Sequence, residues 1–240
     1  MAEPLIEVHD DSAALATAVA GELLSRLADA QAAGGIPQIA LTGGTIAEDI
    51  HRELARLSPG SEVDWSQVVI WWGDERFVAP DSPDRNSGQA QAAFLDAVGA
   101  DPAKVHAMPS TADATDVEAG ATAYAETLRT HGAGEFDIVM LGIGPDGHIA
   151  SLFPGFPQLD SDAIAVGVTG SPKPPPERIS LTFPALNRAR SVWFLVSGAG
   201  KAAAVASALG GADLHETPAA GVVGREETIW FLDREAASEL

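Results

Sequence analysis

The sequence predicts an α/β fold in which a mostly parallel sheet is covered by helices on both faces. Two observations predict it. Short apolar runs of strand length alternate with segments of helical spacing, and glycine-rich turns separate several of these segments. Strands that alternate with helices in this way form parallel sheets with right-handed crossovers.

The predicted elements begin with an amphipathic helix at 12–33, which has a polar start and Gly34-Gly35 at its end. The next strand, the glycine turn and the second helix lie at 39–41, 42–45 and 46–57. Further strands are expected at 68–72, 105–108, 136–141, 179–183, 192–196 and 228–232. Further helices are expected at 89–98, 117–128 and 200–209, and SPKPPPE is expected to be a loop.

Length and composition limit the class of protein. The 240 residues are 46% hydrophobic, which is enough for one core, and no repeat or clear linker divides them, so a single domain over 1–240 is expected. The absence of cysteine excludes disulfides, thiolate nucleophiles and cysteine-ligated zinc. The six scattered histidines lack HxH and HExxH spacing, so no metal is expected.

Charge and hydropathy argue against several partners. Fourteen basic and 34 acidic residues give a formal charge of −20, which disfavours nucleic acid and anionic membrane surfaces. The acidic N-terminus lacks the apolar stretch of a secretion signal, and no apolar run approaches the roughly 18–20 residues of a membrane span. A water-soluble cytoplasmic protein is expected. If its ligand is anionic, each basic residue near the site becomes informative.

Four polar segments follow apolar strands: LTGGT, WWGDER, LGIGPDGHIAS and VSGAGK. Ligands bind outside the carboxyl ends of strands in open α/β sheets, so these segments are expected to meet at one sheet edge. In the first, the turn Thr42-Gly43-Gly44-Thr45 offers backbone N–H groups and a helix N-terminus suited to phosphate, although an ordinary tight turn has the same composition. This turn contains neither GxGxxG nor GxxxxGK[ST], so it indicates neither a dinucleotide nor an NTP.

Charged side chains in the other segments are candidates for ligand contacts. Asp74, Glu75 and Arg76 follow an apolar strand, where the alternative is a surface ion pair contributing only about 0–1 kcal/mol. Arg178 and Lys201 are candidates to neutralise a phosphate, and the alternative for each is a solvated cation.

The strongest local combination is Asp146-Gly147-His148. An imidazole with a pKa near ~6.5 takes up a proton at neutral pH, and a nearby carboxylate fixes its tautomer, so water activated here can attack an ester carbonyl. A structural or merely exposed histidine is the alternative. A serine nucleophile is disfavoured, because no GxSxG occurs and Ser151 falls at an expected helix start, where serine commonly caps.

Taken in order, TGGT, WWGDERFVAPDSPDRNS, FDIVMLGIGPDGHIASLFPG, PPPERISLTFPALN and SGAGK resemble the 6-phosphogluconolactonase family over about the whole chain. The resemblance implies a three-layer Rossmann-like fold shared with sugar-phosphate isomerases and deaminases. It also implies hydrolysis of a phosphorylated sugar lactone in the oxidative pentose phosphate pathway, without an organic cofactor. The only partner implied is that small molecule, and a monomer or weak homo-oligomer is expected.

The same resemblance implies roles for individual residues. His148 would be the general base, with Asp146 as its partner. The turn Thr42 to Thr45 would bind substrate. Thr42 stands where the family has serine, and the threonine keeps the hydroxyl group. The cations that would take the phosphate are Arg76, Arg178 and Lys201. Asp74, Glu75 and Asn86 would bind sugar hydroxyls or hold loops, and N–H groups near Gly144 to Gly147 are expected to stabilise an oxyanion.

Two other functions compete. Glucosamine-6-phosphate deaminases share a DE pair and DGHIA, but continue with FNEPG, whose glutamate transfers protons; here Phe153 takes that position, and a phenyl ring cannot do so. A sugar-phosphate-binding regulator would need a DNA-binding extension, whereas this acidic chain begins almost directly with its first expected helix.

Overall fold

A computed structural model describes residues 3–240. In chain order the strands are β1 (Leu5–His9), β2 (Gln38–Leu41), β3 (Val69–Trp72), β4 (Asp74–Arg76), β5 (Ile138–Leu141), β6 (Ala165–Val168), β7 (Arg178–Leu181), β8 (Ser191–Val196) and β9 (Glu227–Asp233). The α-helices are α1 (Ser12–Ala32), α2 (Thr45–Leu57), α3 (Asn86–Ala90), α4 (Asp96–Val98), α5 (Val117–His131), α6 (Phe183–Leu186) and α7 (Ala202–Leu209).

The main sheet has six strands in the order β1-β9-β8-β5-β2-β3, and every pairing in it is parallel. All residues of β2, β3, β5 and β8 are buried. Because successive side chains of a strand point to opposite faces, such burial requires cover on both faces. The predicted α/β fold is confirmed. Within 3–240, no helix is long and apolar enough to cross a membrane.

One strand was missed and one strand prediction was wrong. The strand β1 was not predicted, because its apolar residues Leu5, Ile6 and Val8 lie largely exposed on an edge strand that pairs only with β9. Conversely, 105–108 forms no strand: its contact with the sheet is one isolated bridge between Ile70 and Val105. A 3₁₀ turn at Pro102–Lys104 directly precedes this segment, and Pro109, which has no N–H to donate, follows it.

The strand predicted at 179–183 belongs to a second sheet. There β7 pairs antiparallel with β4 on one side and β6 on the other. The sequence did not predict β4 or β6, which have only three and four residues. Gly73 joins the sheets, because its N–H donates to Leu41 O of β2 and its carbonyl accepts from Leu181 N of β7. The second sheet therefore lies against the carboxyl edge of the first.

The predicted helix at 89–98 starts earlier and changes type. A π-helical segment, Gln91–Leu95, joins α3 to α4. Its Phe94 ring lies 4.9 Å from the ring of His51 on α2. The His51 side chain is buried, and among the described residues its Nδ1 has no hydrogen-bond partner. The packing of α2 on this helix therefore encloses a titratable ring.

We expect acid to destabilise the fold through His51. Burial, with a smaller contribution from Arg52, lowers the His51 pKa from 6.5 to about 4. A depressed histidine pKa means that the unfolded chain binds the proton more readily. The stabilisation is thus complete above pH 6.5 and is lost as the pH falls towards 4, by up to about 1.4 kcal/mol per pH unit.

The variant His51→Phe keeps an aromatic ring but cannot titrate. Urea unfolding at pH 7 and pH 4.5 should give a smaller loss of unfolding free energy for the variant than for the wild type. Other groups titrate in both proteins, so the difference between the two losses of unfolding free energy isolates the contribution of His51. Equal losses in the two proteins would contradict the assignment of this acid sensitivity to His51.

Candidate active site

A cavity of about 230 Å³ opens at the carboxyl edge of the main sheet. Its walls come from the turn after β2, from β4, from the loop after β5, from the Pro-rich loop before β7 and from the segment after β8. The residues that line it are Thr42, Gly43, Gly44, Asp74, Arg76, Asn86, Gly142, Ile143, His148, Ala150, Lys173, Pro174, Arg178 and Lys201. The four polar segments therefore meet, as predicted. Thr45 and Asp146 do not line the cavity: Thr45 follows Gly44 at the start of α2, and Asp146 contacts His148.

The turn after β2 presents backbone to the cavity. Gly44 has φ +97°, a left-handed value that favours glycine, and α2 begins after it without a side-chain cap. A Cβ on Gly43 would overlap Asn86 Oδ1, so only glycine lets these two segments meet. Thr42 Oγ1 accepts the Gly142 N–H at 3.4 Å, tying the turn to the loop after β5. The N-terminus of α2 is thus open to an anion.

Glu75 is fully buried and organises the next wall. Its Oε1 accepts the N–H groups of Arg76 at 2.9 Å and Asn86 at 2.7 Å, and its Oε2 accepts the N–H and hydroxyl of Ser87 at 2.9 and 2.8 Å. Arg85 Nη2 lies 3.8 Å from Oε2. Because Glu75 is buried and its carboxylate binds the start of α3, the alternative of a surface ion pair is excluded for this residue.

The side chains of Arg76 and Asn86 are hydrogen-bonded to each other beside Glu75. Arg76 Nη1 donates to Asn86 Oδ1 and to Asp84 O, and Asn86 Nδ2 donates to Asp74 O at 3.0 Å. Hydrogen bonds therefore fix three groups in this wall before any ligand binds: the backbone carbonyl of Asp74, the guanidinium of Arg76 and the side-chain amide of Asn86.

His148 and Asp146 are in direct contact. Asp146 Oδ1 is hydrogen-bonded to His148 Nδ1, which leaves Nε2 as the other ring nitrogen. Partial burial acts to raise the Asp146 pKa, but the hydrogen bond and charge of His148 outweigh it and lower this pKa to about 2. Asp146 is therefore ionised at neutral pH. The His148 side chain keeps 12% exposure, and its ring packs 4.6 Å from the buried Phe153 ring.

The glycines around His148 have a steric role. A Cβ on Gly144 would overlap the His148 ring, and Gly147 has φ +80° and packs on Thr217. Two loop amides are already used, because Gly144 N donates to His148 O at 2.8 Å and Gly147 N to Gly144 O at 3.0 Å. These two N–H groups are therefore bonded within the loop, and the expectation that N–H groups near Gly144 to Gly147 stabilise an oxyanion stays a prediction.

The basic residues reach the cavity in different ways. Lys201 Nζ donates to Ile143 O at 2.7 Å, and burial together with the nearby Lys173 lowers the Lys201 pKa. Arg178 is buried and donates to the carbonyls of Lys173, Pro174 and Pro175 at 3.1 to 3.3 Å. Arg178 thus holds the Pro-rich loop, and that loop carries Lys173 to the cavity.

Sequence reasoning missed Lys173. It lies in SPKPPPE, which was predicted correctly as a loop but without a part in the site. The available signal was its position five residues before Arg178, which was already a candidate for the phosphate. Among residues 3–240 no group of three or more potential metal-ligating side chains comes together.

The prediction for Ser151 was also wrong. No helix follows His148; the chain makes turns there, and Ala150 has φ +47°. Ser151 is fully buried, and its hydroxyl donates to Asp74 Oδ2 at 2.7 Å instead of capping a helix.

Comparison with known proteins identifies a family for this chain. The family model described as "Glucosamine-6-phosphate isomerases/6-phosphogluconolactonase" matches residues 10–230. A 6-phosphogluconolactonase of Streptomyces coelicolor is 47% identical over 99% of this chain and 95% of its own length. One of Mycobacterium tuberculosis is 45% identical, over 98% of both chains. The crystal structure of the Thermotoga maritima 6-phosphogluconolactonase superposes with a TM-score of 0.86 at 25% identity, covering 96% of this chain and 99% of that one. The chain therefore belongs to the family of glucosamine-6-phosphate isomerases and 6-phosphogluconolactonases.

Proposed function

We propose that this protein is a lactonase that hydrolyses 6-phosphoglucono-1,5-lactone to 6-phosphogluconate in the oxidative pentose phosphate pathway. Curated relatives at 44–47% identity over nearly the full length carry the name 6-phosphogluconolactonase. The observation that carries the proposal is the charge of the cavity beside His148.

The cavity has a charge opposite to that of the protein. Four of the 14 lysine and arginine residues of the chain line it, against the single carboxylate of Asp74. A protein with a formal charge of −20 repels anions unless such a cluster overcomes the general field. The cluster consists of Arg76, Lys173, Arg178 and Lys201. Together with the open N-terminus of α2, it suits a phosphorylated substrate.

In the proposed reaction, His148 Nε2 removes a proton from water as the water oxygen bonds to C1 of the lactone. The bond between C1 and the ring oxygen then breaks, and the ring oxygen takes the proton from the imidazolium. Asp146 holds Nδ1 and stabilises the imidazolium between the two transfers. The carboxyl group formed at C1 then releases its own proton to solvent. Lactone and water thus give the carboxylate, a hydroxyl at the former ring oxygen and one free proton, so atoms and charge balance.

A deaminase reaction in the same cavity is disfavoured by Phe153. This side chain occupies the position of the deaminase glutamate, is 1% exposed and packs against His148. An apolar ring in that position supplies no acid or base to an amino-sugar substrate.

The substrate class is tested by comparing 6-phosphogluconolactone, unphosphorylated gluconolactone and glucosamine 6-phosphate, each corrected for the uncatalysed rate. We expect selective acceleration of the first.

In Lys201→Ala, kcat/KM for the phosphorylated lactone should fall by about 10-fold or more, mainly through KM, because a charge-assisted contact to phosphate is lost. The unphosphorylated lactone should react equally with wild type and variant.

Lys104→Ala is a matched control, because Lys104 lies outside the cavity and donates to Ser66 O and Gln67 Oε1. It should leave both lactones unaffected. Equal rates for the phosphorylated and unphosphorylated lactones with the wild type would overturn the proposed substrate class.

A further inference from the structure

A buried hydrogen bond joins the segment after His148 to the opposite wall of the cavity. Ser151 Oγ donates to Asp74 Oδ2 at 2.7 Å, and the two residues are 77 positions apart in the chain. Ser151 is fully buried and does not line the cavity. The proposed reaction uses neither its hydroxyl nor this bond.

The direction of the Ser151 hydroxyl is fixed by its surroundings. Its backbone N–H donates to Ser180 Oγ at 3.1 Å, and Ser180 is the direct antiparallel partner of Asp74 in the pairing of β7 with β4. The Ser180 hydroxyl in turn donates to Leu181 O at 2.9 Å. Both ends of the Ser151–Asp74 bond are therefore anchored to the same pair of strands.

The carboxylate of Asp74 has one bonded and one free oxygen. Oδ2 accepts from Ser151, whereas Oδ1 accepts no hydrogen bond from any described residue. Asp74 lines the cavity and is 6% exposed, and Oδ1 is not among the fully enclosed atoms that lack a partner. The free oxygen thus faces the cavity, where it can accept hydrogen bonds from hydroxyl groups of a ligand.

A cation competes for the same carboxylate. Arg178 Nη1 lies 4.0 Å from Asp74 Oδ2, outside hydrogen-bonding distance. A buried carboxylate that loses its only hydrogen-bond donor is driven to pair with the nearest cation. Without the Ser151 hydroxyl, Asp74 would turn towards Arg178, and its free oxygen would lose its fixed position in the cavity.

We infer that Ser151 is a positioning residue that holds Asp74 so that one carboxylate oxygen receives the hydroxyl groups of a polyhydroxylated sugar-phosphate ligand. This inference rests on the proposed function, because it names how the same cavity recognises the sugar part of its substrate. Ser151 touches no substrate itself, and its effect passes through Asp74.

The test measures two quantities on Ser151→Ala: kcat and KM for 6-phosphogluconolactone, and the Kd of 6-phosphogluconate by calorimetry. We expect KM and Kd to rise by about 10- to 100-fold while kcat stays within about threefold, since binding and not the base is affected. Ser110→Ala is the matched control. Ser110 is also buried and also donates to an aspartate oxygen at 2.7 Å, that of Asp113, away from the cavity.

A double-mutant cycle separates positioning from general damage to the fold. If Ser151 acts through Asp74, Ser151→Ala should add little to the loss already caused by Asp74→Asn. Ser151→Cys keeps nearly the same volume and a weak donor, so it should bind 6-phosphogluconate more tightly than Ser151→Ala. This variant serves if Ser151→Ala fails to fold.

Additive losses in the cycle, or an unchanged Kd in both Ser151 variants, would overturn the inference. Failure of the proposed function is distinguishable, because a wild type that binds 6-phosphogluconate without hydrolysing the lactone removes the lactonase activity and leaves the Kd comparison intact. A wild type that neither binds nor hydrolyses would overturn both.

Discussion

His148→Asn is expected to lower kcat for 6-phosphogluconolactone by about 10²- to 10⁴-fold, the usual loss when a general base is removed. The reason lies in the geometry around the ring. Asp146 is hydrogen-bonded to Nδ1, the Phe153 ring packs at a tilt 4.6 Å from the imidazole, and His148 itself lines the cavity beside the basic cluster. No other histidine lines this cavity within residues 3–240. Asparagine keeps a polar side chain but cannot take a proton at neutral pH.

The measurement is single-turnover or steady-state hydrolysis with freshly generated lactone, corrected for spontaneous opening. The Kd of 6-phosphogluconate should change little, because the cations and the turn after β2 are untouched. Near-normal turnover in the variant would contradict the assignment of His148 as the base, and a large loss of product affinity would show that His148 acts in binding instead.

The chain supplies an unusually close control in His215. Asp213 and His215 have the same spacing as Asp146 and His148, and Asp213 Oδ1 lies 2.9 Å from His215 Nδ1. Asp160 bonds its other ring nitrogen, also at 2.9 Å. This histidine is exposed and does not line the cavity. His215→Asn should therefore leave kcat unchanged, which separates the effect of position from the effect of an aspartate–histidine pair.

The core of the fold was predictable because its strands are buried on both faces. Segments such as 39–41 and 192–196 are continuous apolar runs, and that pattern has few other solutions. The edge strand β1 and the short strands β4 and β6 of the second sheet have no such signal. Their residues are partly exposed or polar, and β4 and β7 pair across a distance of about a hundred residues. The assignment of 1–240 to a single domain stays a prediction.

The site was predictable to the extent that local motifs lie at the carboxyl ends of strands. This rule brought the turn at Thr42, the segment at Asp74 and the loop at His148 to one edge, where the structure has them. It did not indicate which buried groups hold them. The bonds of Ser151 to Asp74 and of Arg178 to the Pro-rich loop depend on the turn at Ala150 and on the pairing of β4 with β7. Neither of these features has a local sequence pattern.

Glu75→Gln is expected to lower the free energy of unfolding by about 3–5 kcal/mol, as breaking a buried charge pair typically does. Each carboxylate oxygen of Glu75 accepts two hydrogen bonds, and the donors are three backbone N–H groups and the Ser87 hydroxyl. A glutamine presents an NH₂ group to one of these donor pairs in either orientation. At least one backbone N–H then loses its acceptor, and the Arg85 guanidinium 3.8 Å away loses its counter-charge.

The same substitution should also weaken catalysis in the molecules that remain folded. Glu75 fixes the backbone of both Arg76 and Asn86, so releasing it moves the cavity wall that faces Gly43. Glu126→Gln is the matched control, because its side chain is 68% exposed and pairs only with Arg129 on α5. That exposed pair contributes at most about 1 kcal/mol, so the control should unfold almost like the wild type. If Glu75→Gln and Glu126→Gln unfold at the same denaturant concentration, Asp74 and Glu75 do not have separate roles, one facing the ligand and the other stabilising the fold. A stability loss confined to Glu75→Gln, accompanied by a raised KM, would establish that Asp74 faces the ligand and Glu75 stabilises the fold.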